Sequence, residues 1–388
     1  MKKYYLIFLS LLFIFPISVF AEEEEKSNEL ISNAVSGLLM EQSTGEILFE
    51  KDKDKQVPVA SMTKMVAQTI ILERIESGKI KWDDIVEVSK NAADMGGSQI
   101  YLTAGEKMSV RDLFKGISMA SGNDATVAMA EYIAGDEASF VKLMNKKVRE
   151  LGLKNTQFKN CTGLDEDGHF SSAYDMALIA RNLVNHEEIL KFSSVYEDYL
   201  RENTENKFWL VNTNKLVRFY EGADGLKTGH TDNAGYCLAA TAKKNGMRLI
   251  AIVLGEAESK VRNSEAMALL DYGFGQKKVT TLKKKGDVVG EMHFDKGNKD
   301  KVEIVPKYDV SILENKNSSD HKYNYKTDIN SSIKLPIKKG SSVGKIHVYE
   351  KNKKITSVDL VSNTSVDKLN FVELYIETVK NSILGLIN

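Results

Sequence analysis

Apolar and polar positions recur with different periods along the chain, and each change of period predicts an element. Two short apolar runs at 35–40 and 46–50, parted by Gln42-Ser43-Thr44-Gly45, predict a β-hairpin. A charged loop at 51–55 leads into a helix that starts near Ser61. There Met62, Met65, Val66, Ile70, Ile71, Leu72 and Ile75 leave no polar face before Gly78, the pattern of a helix buried in a core. Ser109-Val110-Arg111-Asp112 is a capping box that opens a helix to about Met119. Ser121-Gly122-Asn123-Asp124 breaks it, and helices follow at 125–134 and 136–151. The turn-rich stretch 160–169 must be a loop, and Ser171-Ser172-Ala173-Tyr174-Asp175 starts a helix to about Val184. From Phe208 the period shortens to that of strands. The runs 235–242 and 247–255 flank Lys243-Lys244-Asn245-Gly246, a hairpin signal, and 259–272 reads as a closing helix. Strands at both ends of 28–275 with helices between them predict an α+β domain, an antiparallel sheet covered by helices.

Beyond Gly275 the pattern changes again. Short strands, lysines and turns without helical spacing predict a small all-β domain over 276–366. Residues 367–388 are helical once more, with Val372, Tyr375, Ile376, Val379, Ile383 and Ile387 on one face and Lys368, Glu373, Glu377 and Lys380 off it. Charges inside the helix make it a poor membrane span. It suits a membrane surface, the competing reading being a helix packed on the β-domain. At the other end, Lys2 and Lys3 precede an apolar run from Tyr4 to Phe20, and Val19-Phe20-Ala21 offers a cleavage site. Residues 1–21 therefore read as an export signal, against the alternative of an uncleaved anchor.

Composition narrows the function classes. The chain has 388 residues, 42% hydrophobic and 28% charged, which describes an ordinary soluble protein of two or three domains. A net charge of -1 gives no reason to expect nucleic acid as a partner. No Cys/His cluster at zinc spacing, phosphate-cradling glycine loop or dinucleotide fingerprint occurs, so neither a metal nor a cofactor is expected. Cys161 and Cys237 allow at most one disulfide, and the sequence leaves open whether they meet.

Candidate chemistry lies at three places. Ser61 and Lys64 sit three apart at a helix start, on one face, so the amine can reach the hydroxyl: a serine nucleophile with a built-in base. The spacing alone is weak, because Ser-x-x-Lys recurs at Ser139, Ser319, Ser331, Ser342 and Ser365. Ser121-Gly122-Asn123 is a small polar turn between two apolar helices, either facing a cleft or merely connecting them. Asp224-Gly225-Leu226-Lys227-Thr228-Gly229-His230-Thr231 joins a glycine that lets a ligand approach backbone to a lysine charge and two hydroxyl donors suited to an anion.

Taken in order, Ser61-x-x-Lys64, Ser121-Gly122-Asn123 and Lys227-Thr228-Gly229 resemble the signature of the penicillin-binding proteins and serine β-lactamases. The flanks at 58–64, 168–177 and 224–231 look like the low-molecular-mass D-alanyl-D-alanine carboxypeptidases, with the likeness running from about Val35 to Phe274. The resemblance implies that Ser61 attacks a peptidoglycan stem peptide between two terminal D-alanines. Lys64, its pKa lowered by burial and by Lys227, accepts the proton. Ser121 and Lys227 pass a proton to the leaving amine, Asn123 holds the substrate amide and Lys64, and the N–H groups of Ser61 and His230 stabilise the oxyanion. Thr228, Gly229, His230 and Thr231 line the substrate, with Arg262 as bidentate partner of its carboxylate. The likeness also implies inhibition by β-lactams and peripheral attachment to the outer face of the cytoplasmic membrane through the C-terminal helix. Gly122 stands where class A β-lactamases carry aspartate, and 160–169 lacks their Glu-x-x-x-Asn arrangement, although Glu166 is nearby. A D,D-endopeptidase, a β-lactamase and a non-enzymatic β-lactam-binding scaffold are the alternatives.

Overall fold

The computed structural model describes residues 30–318, 321–330, 332–376 and 379; the expected export signal lies outside them, as do Ser319, Ser331 and most of the C-terminal helix. The predicted first hairpin forms β1 (Ser36–Glu41) and β2 (Ile47–Lys51). After it come a 3-10 turn, Ala60–Thr63, and the helices α1 (Lys64–Glu76), α2 (Val110–Ala120), α3 (Asn123–Ala134), α4 (Glu137–Glu150) and α5 (Ala173–Val184). Serines and aspartates cap them as their positions suggest: Ser109 accepts from Asp112 N, Asp136 from Ser139 N and Ser172 from Asp175 N. Asn123 is no cap; Gly122 takes that place and Asn123 begins α3. A small hairpin follows, β3 (Glu197–Leu200) and β4 (Phe208–Val211), of which the hydrophobic pattern had signalled only the second strand. β5 (Ala223–Thr231), β6 (Gly235–Lys244) and β7 (Met247–Glu256) then lead into α6 (Ser259–Gln276), which continues four residues past the expected Tyr272.

The main sheet has the order β2–β1–β7–β6–β5, antiparallel throughout, so the first hairpin closes onto the last strands of its domain. Side chains alternate between its faces. Leu38, Met40, Ile250 and Ile252 point into a core shared with α1, α2, α3 and α5. Leu39, Leu249, Ala251 and Val253 point into a second core closed by Ala266, Leu269 and Leu270 of α6. Both faces of β7 are therefore covered, which explains its unbroken apolar run. α1 lies inside the larger helical layer and is buried from Lys64 to Leu72, so the absence of a polar face was a true signal.

Residues 277–362 form the second unit: β8 (Lys277–Lys283) paired with β11 (Val310–Asn315), and a sheet of β9 (Gly290–His293), β10 (Lys301–Pro306), β14 (Lys353–Ser362), β13 (Ser342–Glu350) and β12 (Tyr323–Ile329) in that order. Its core is separate, built on Val302, Ile304, Ile346, Val348 and Leu360. Residues 371–376 are helical, with Phe371, Val372, Tyr375 and Ile376 exposed rather than packed on the β-unit. No described helix is long and apolar enough to cross a membrane. Cys161 and Cys237 are both buried free thiols, not a disulfide.

Candidate active site

The centre is the junction between the 3-10 turn and α1. Ala60 takes φ +47°, and the turn carries Ser61 to the front of the helix. Lys64 is fully buried, and its ammonium donates to Ser61 Oγ at 2.7 Å and to the Thr162 carbonyl at 2.7 Å. Burial lowers its pKa to about 7, against smaller opposing pulls from Cys161 and Asp124. A neutral amine is thus within reach near neutrality, beside a hydroxyl it already touches.

β5 runs past this turn at van der Waals range. A Cβ at Gly229 would stand 2.7 Å from the Val59 carbonyl and 3.2 Å from Ser61 N, so only glycine lets the strand pass. Gly163 does the same from the other side: its φ is +84° and a Cβ there would meet the Ala60 carbonyl at 1.9 Å. Lys227, also buried, donates to the Thr228 carbonyl at 2.9 Å. Burial first, then the charges of Lys64 and Arg262, hold its pKa well below the usual lysine value. The expected repulsion between the two lysines therefore registers on Lys227, while the Lys64 shift is a matter of desolvation.

Ser121 ends α2 in a left-handed conformation, φ +63°, that lifts its side chain out of the helix. Its hydroxyl and the Oδ1 of Asn123 are buried without a hydrogen-bond partner among the described residues. Two orphaned polar atoms in one short turn are costly in a packed protein and mark a surface built to meet a ligand. Asn123 is fixed by its N–H to the Ser98 carbonyl and its Nδ2 to the Gly96 carbonyl, each at 2.7 Å. It does not hold Lys64 as expected, because the Thr162 carbonyl has that role. Nor do Ser121 and Lys227 bond to each other: Lys227 is turned onto its own strand.

The remaining expected residues fall into two groups. Thr228 donates from its hydroxyl to Thr213 Oγ1 at 2.8 Å, and His230 is exposed and stacks on Tyr236, ring centroids 4.0 Å apart. Thr231 is already engaged, donating to Asp165 Oδ1 at 2.7 Å. Arg262 is not a solvated helix residue: it is buried, its Nε and Nη2 donate to Asn263 Oδ1 at 3.1 and 2.8 Å, and its Nη1 faces the carbonyl of Cys237, the residue paired with Gly229. His169 and Asp175 order the loop. His169 Nδ1 accepts from Lys159 N and its Nε2 meets Thr63 Oγ1 at 2.8 Å, with burial pushing its pKa down to about 4; Asp175 accepts from Asn155 N and Thr156 Oγ1. Glu166 is exposed, and its carboxylate accepts from Asn160 Nδ2.

Thr162 and Glu137 escaped the sequence reading. Glu137 Oε1 accepts from Cys161 N at 3.0 Å and so steadies the carbonyl that holds Lys64. A backbone acceptor has no side-chain signature, and only the turn-rich character of 160–169 hinted at it. Among the described residues no group of three metal-ligating side chains forms.

Residues 22–258 match the family of D-alanyl-D-alanine carboxypeptidases, peptidase S11, and residues 278–368 match the C-terminal domain of penicillin-binding protein 5. D-alanyl-D-alanine carboxypeptidase DacF of Bacillus subtilis is 45% identical over 363 residues, 93% of each chain. DacA of Escherichia coli is 35% identical over 356 residues, 90% of this chain and 87% of its own. Among solved structures, penicillin-binding protein 5 from Haemophilus influenzae superposes with a TM-score of 0.68 at 32% identity, covering 87% of this chain and 98% of that one. Penicillin-binding protein D2 from Listeria monocytogenes in its ampicillin-bound form gives 0.56 at 32% identity, over 62% of this chain and 97% of its own.

Proposed function

The chain belongs to the D-alanyl-D-alanine carboxypeptidase family, and from that membership we propose that Ser61 is the nucleophile that releases the terminal D-alanine of a peptidoglycan stem pentapeptide. The observation that carries this reading is the 2.7 Å contact between the buried Lys64 amine and the Ser61 hydroxyl. As the serine oxygen bonds to the carbonyl between the two D-alanines, neutral Lys64 takes its proton. The carbonyl oxygen becomes an oxyanion between the N–H groups of Ser61 and His230, a pair whose donors are each worth about 3–4 kcal/mol. The tight passage of Gly229 beside Ser61 N supports that arrangement. Collapse breaks the C–N bond, and Ser121 and Lys227 pass the proton that Lys64 took to the leaving amine. Water then hydrolyses the ester and frees Ser61.

Asn123 Oδ1 is an open acceptor for the substrate amide. Thr228 and Arg262 meet the terminal carboxylate, and Thr231 joins them only if it releases Asp165. A β-lactam acylates the same serine. Glu166, exposed and occupied by Asn160, offers no base for deacylation, which favours a long-lived adduct over β-lactamase turnover. Residues 28–275 are the catalytic domain in this reading and 276–366 an appended β-domain. The exported chain rests on the outer face of the cytoplasmic membrane through the helix that begins near 367, whose exposed Phe371, Val372, Tyr375 and Ile376 support the assignment.

The test is D-alanine release from a stem pentapeptide, a cross-linked muropeptide and penicillin turnover measured side by side, with the penicillin adduct mapped by mass spectrometry. Release from the pentapeptide with the adduct on Ser61 is expected. Cleavage of the cross-link alone would make the enzyme an endopeptidase, and an adduct elsewhere overturns the assignment.

A further inference from the structure

Asn160 stands at the base of the loop that meets Lys64, and its side-chain amide is bonded to that loop on both sides. Its Oδ1 accepts from Gly163 N at 2.7 Å, from Thr162 Oγ1 at 3.2 Å and from Thr162 N at 3.3 Å. Its Nδ2 donates to the Leu164 carbonyl at 3.0 Å and to Glu166 Oε2 at 3.1 Å. Backbone N–H groups only donate and carbonyl oxygens only accept, so the amide fits one way round. Neither Thr162 N nor Gly163 N has a backbone acceptor among the described residues. Asn160 supplies the partner that a helix or a sheet would supply elsewhere, in the manner of an Asx turn.

The turn held in this way makes the contacts that matter at the site. The Thr162 carbonyl accepts from the Lys64 ammonium at 2.7 Å. Gly163 runs so close to the Ser61 turn that a Cβ there would stand 1.9 Å from the Ala60 carbonyl and 3.0 Å from Ser61 N. Asp165, two residues further on, accepts from Thr231 at the end of β5. Asn160 itself has no hydrogen bond to Ser61, Lys64 or Lys227.

We propose that Asn160 is a positioning residue for acyl transfer: its amide fixes the 162–163 turn, which aims the Thr162 carbonyl at Lys64 and seats Gly163 against the Ser61 turn. The inference rests on the roles proposed above for Ser61 and Lys64. A hydrogen bond to an ammonium favours the charged form. Releasing the carbonyl therefore makes Lys64 easier to deprotonate, and it also leaves the amine less well aimed at the hydroxyl. The titratable groups facing Lys64 are Cys161 on this loop, Asp124 on α3 and Lys227 on β5, and replacing Asn160 removes none of them.

The experiment follows penicillin acylation of the full chain against pH, together with D-alanine release from a stem pentapeptide. Asn160→Ala is expected to lower the plateau rate of acylation about tenfold, through the lost alignment. It should also move the acidic limb of the profile about one pH unit lower, the size of one hydrogen bond to a charged group. Asn160→Ser keeps a weaker acceptor for the turn and should show about half of each effect on a logarithmic scale. The serine variant decides the matter if the alanine variant does not fold. A residue that merely stabilised the loop would reduce the fraction of protein that acylates and leave the limb in place. That result, or a wild-type profile in either variant, overturns the role of Asn160. If wild-type enzyme acylates but releases no D-alanine from the pentapeptide, it is the proposed function that fails, and the acylation profiles still decide on Asn160.

Discussion

Two pairs of like charges are buried in the catalytic domain, and they are built differently. Lys64 and Lys227 lie where the 3-10 turn meets β5, and each ammonium has a hydrogen-bond acceptor: Ser61 Oγ and the Thr162 carbonyl for one, the Thr228 carbonyl for the other. Glu256, the last residue of β7, and Glu265 of α6 lie at the other pair. There both oxygens of Glu256 and one of Glu265 have no partner among the described residues, and only Glu265 Oε1 accepts a bond, from Asn33 N. Burial suppresses ionisation in both, lowering the lysines and raising Glu256. Lys64 has two acceptors and Lys227 one, so each lysine nitrogen stays hydrogen-bonded whether or not a proton leaves. Their suppressed charge is therefore available for chemistry, while the carboxyl pair bears its cost as lost stability when charged.

The largest expected effect comes from removing the proposed base. Lys64→Ala should slow acylation by penicillin about 10²–10⁴-fold, the usual contribution of a positioned general base, with Ser61 still present for the adduct. Lys142→Ala, three residues after Ser139 on α4, is the matched control and should change neither acylation nor stability by more than about 0.5 kcal/mol. Next comes geometry. Gly229→Ala forces the strand away from the Val59 carbonyl and should cost about 10²-fold in acylation, as a displacement near 1 Å does at a reacting centre. Smaller again is the pH effect. Lys64 must be neutral to act in this reading and its pKa is lowered to about 7, so acylation should rise with pH through neutrality and fall about fivefold from pH 7 to pH 6, then about tenfold per unit below. A profile flat between pH 5 and 9 would remove Lys64 as the base.

The Lys142 control also shows what could be read beforehand. Ser139 and Lys142 share the spacing of Ser61 and Lys64 and also open a helix. Yet Ser139 bonds to Asp136, the α4 cap, and Lys142 is exposed. What separated the two was legible: α1 has no polar face, and α4 has one. The order of the three motifs was legible for the same reason, since each lies at a break in the hydrophobic pattern. Contacts made by backbone atoms were not. The Thr162 carbonyl under Lys64 and the passage of Gly229 beside Ser61 depend on register and loop path, which no side-chain pattern encodes. The burial of Arg262 was not legible, because the residues around it on α6 are polar, whereas the Cys237 carbonyl and Asn263 enclose it. Asp124 went unnoticed because it looks like a turn residue, although its buried carboxylate accepts from Ile100 N and Leu102 N and so shapes the loop behind Asn123.

The smallest predicted effect tests the carboxyl pair. Glu256 is 1% exposed, and desolvation followed by Glu265 raises its pKa above the ordinary value of 4.5, with Lys51 pulling weakly the other way. A carboxyl whose folded pKa exceeds its unfolded one stabilises the protein fully below the unfolded value. That contribution is lost as pH climbs into the neutral range, where folding must hold a charge beside Glu265. Glu256→Gln keeps the shape and removes the charge. It should therefore leave thermal stability at pH 5 nearly unchanged and raise it at pH 8 by about 1 kcal/mol, read as a shift of about 2–4 °C in Tm. Penicillin acylation should not change, because the pair is not in contact with Ser61, Lys64 or Lys227. Equal stabilisation at both pH values would mean that the carboxyl group is strained rather than charged. A loss of stability at pH 8 would mean that ionised Glu256 has a partner such as Lys51 in solution, and the contrast between the two buried pairs would disappear.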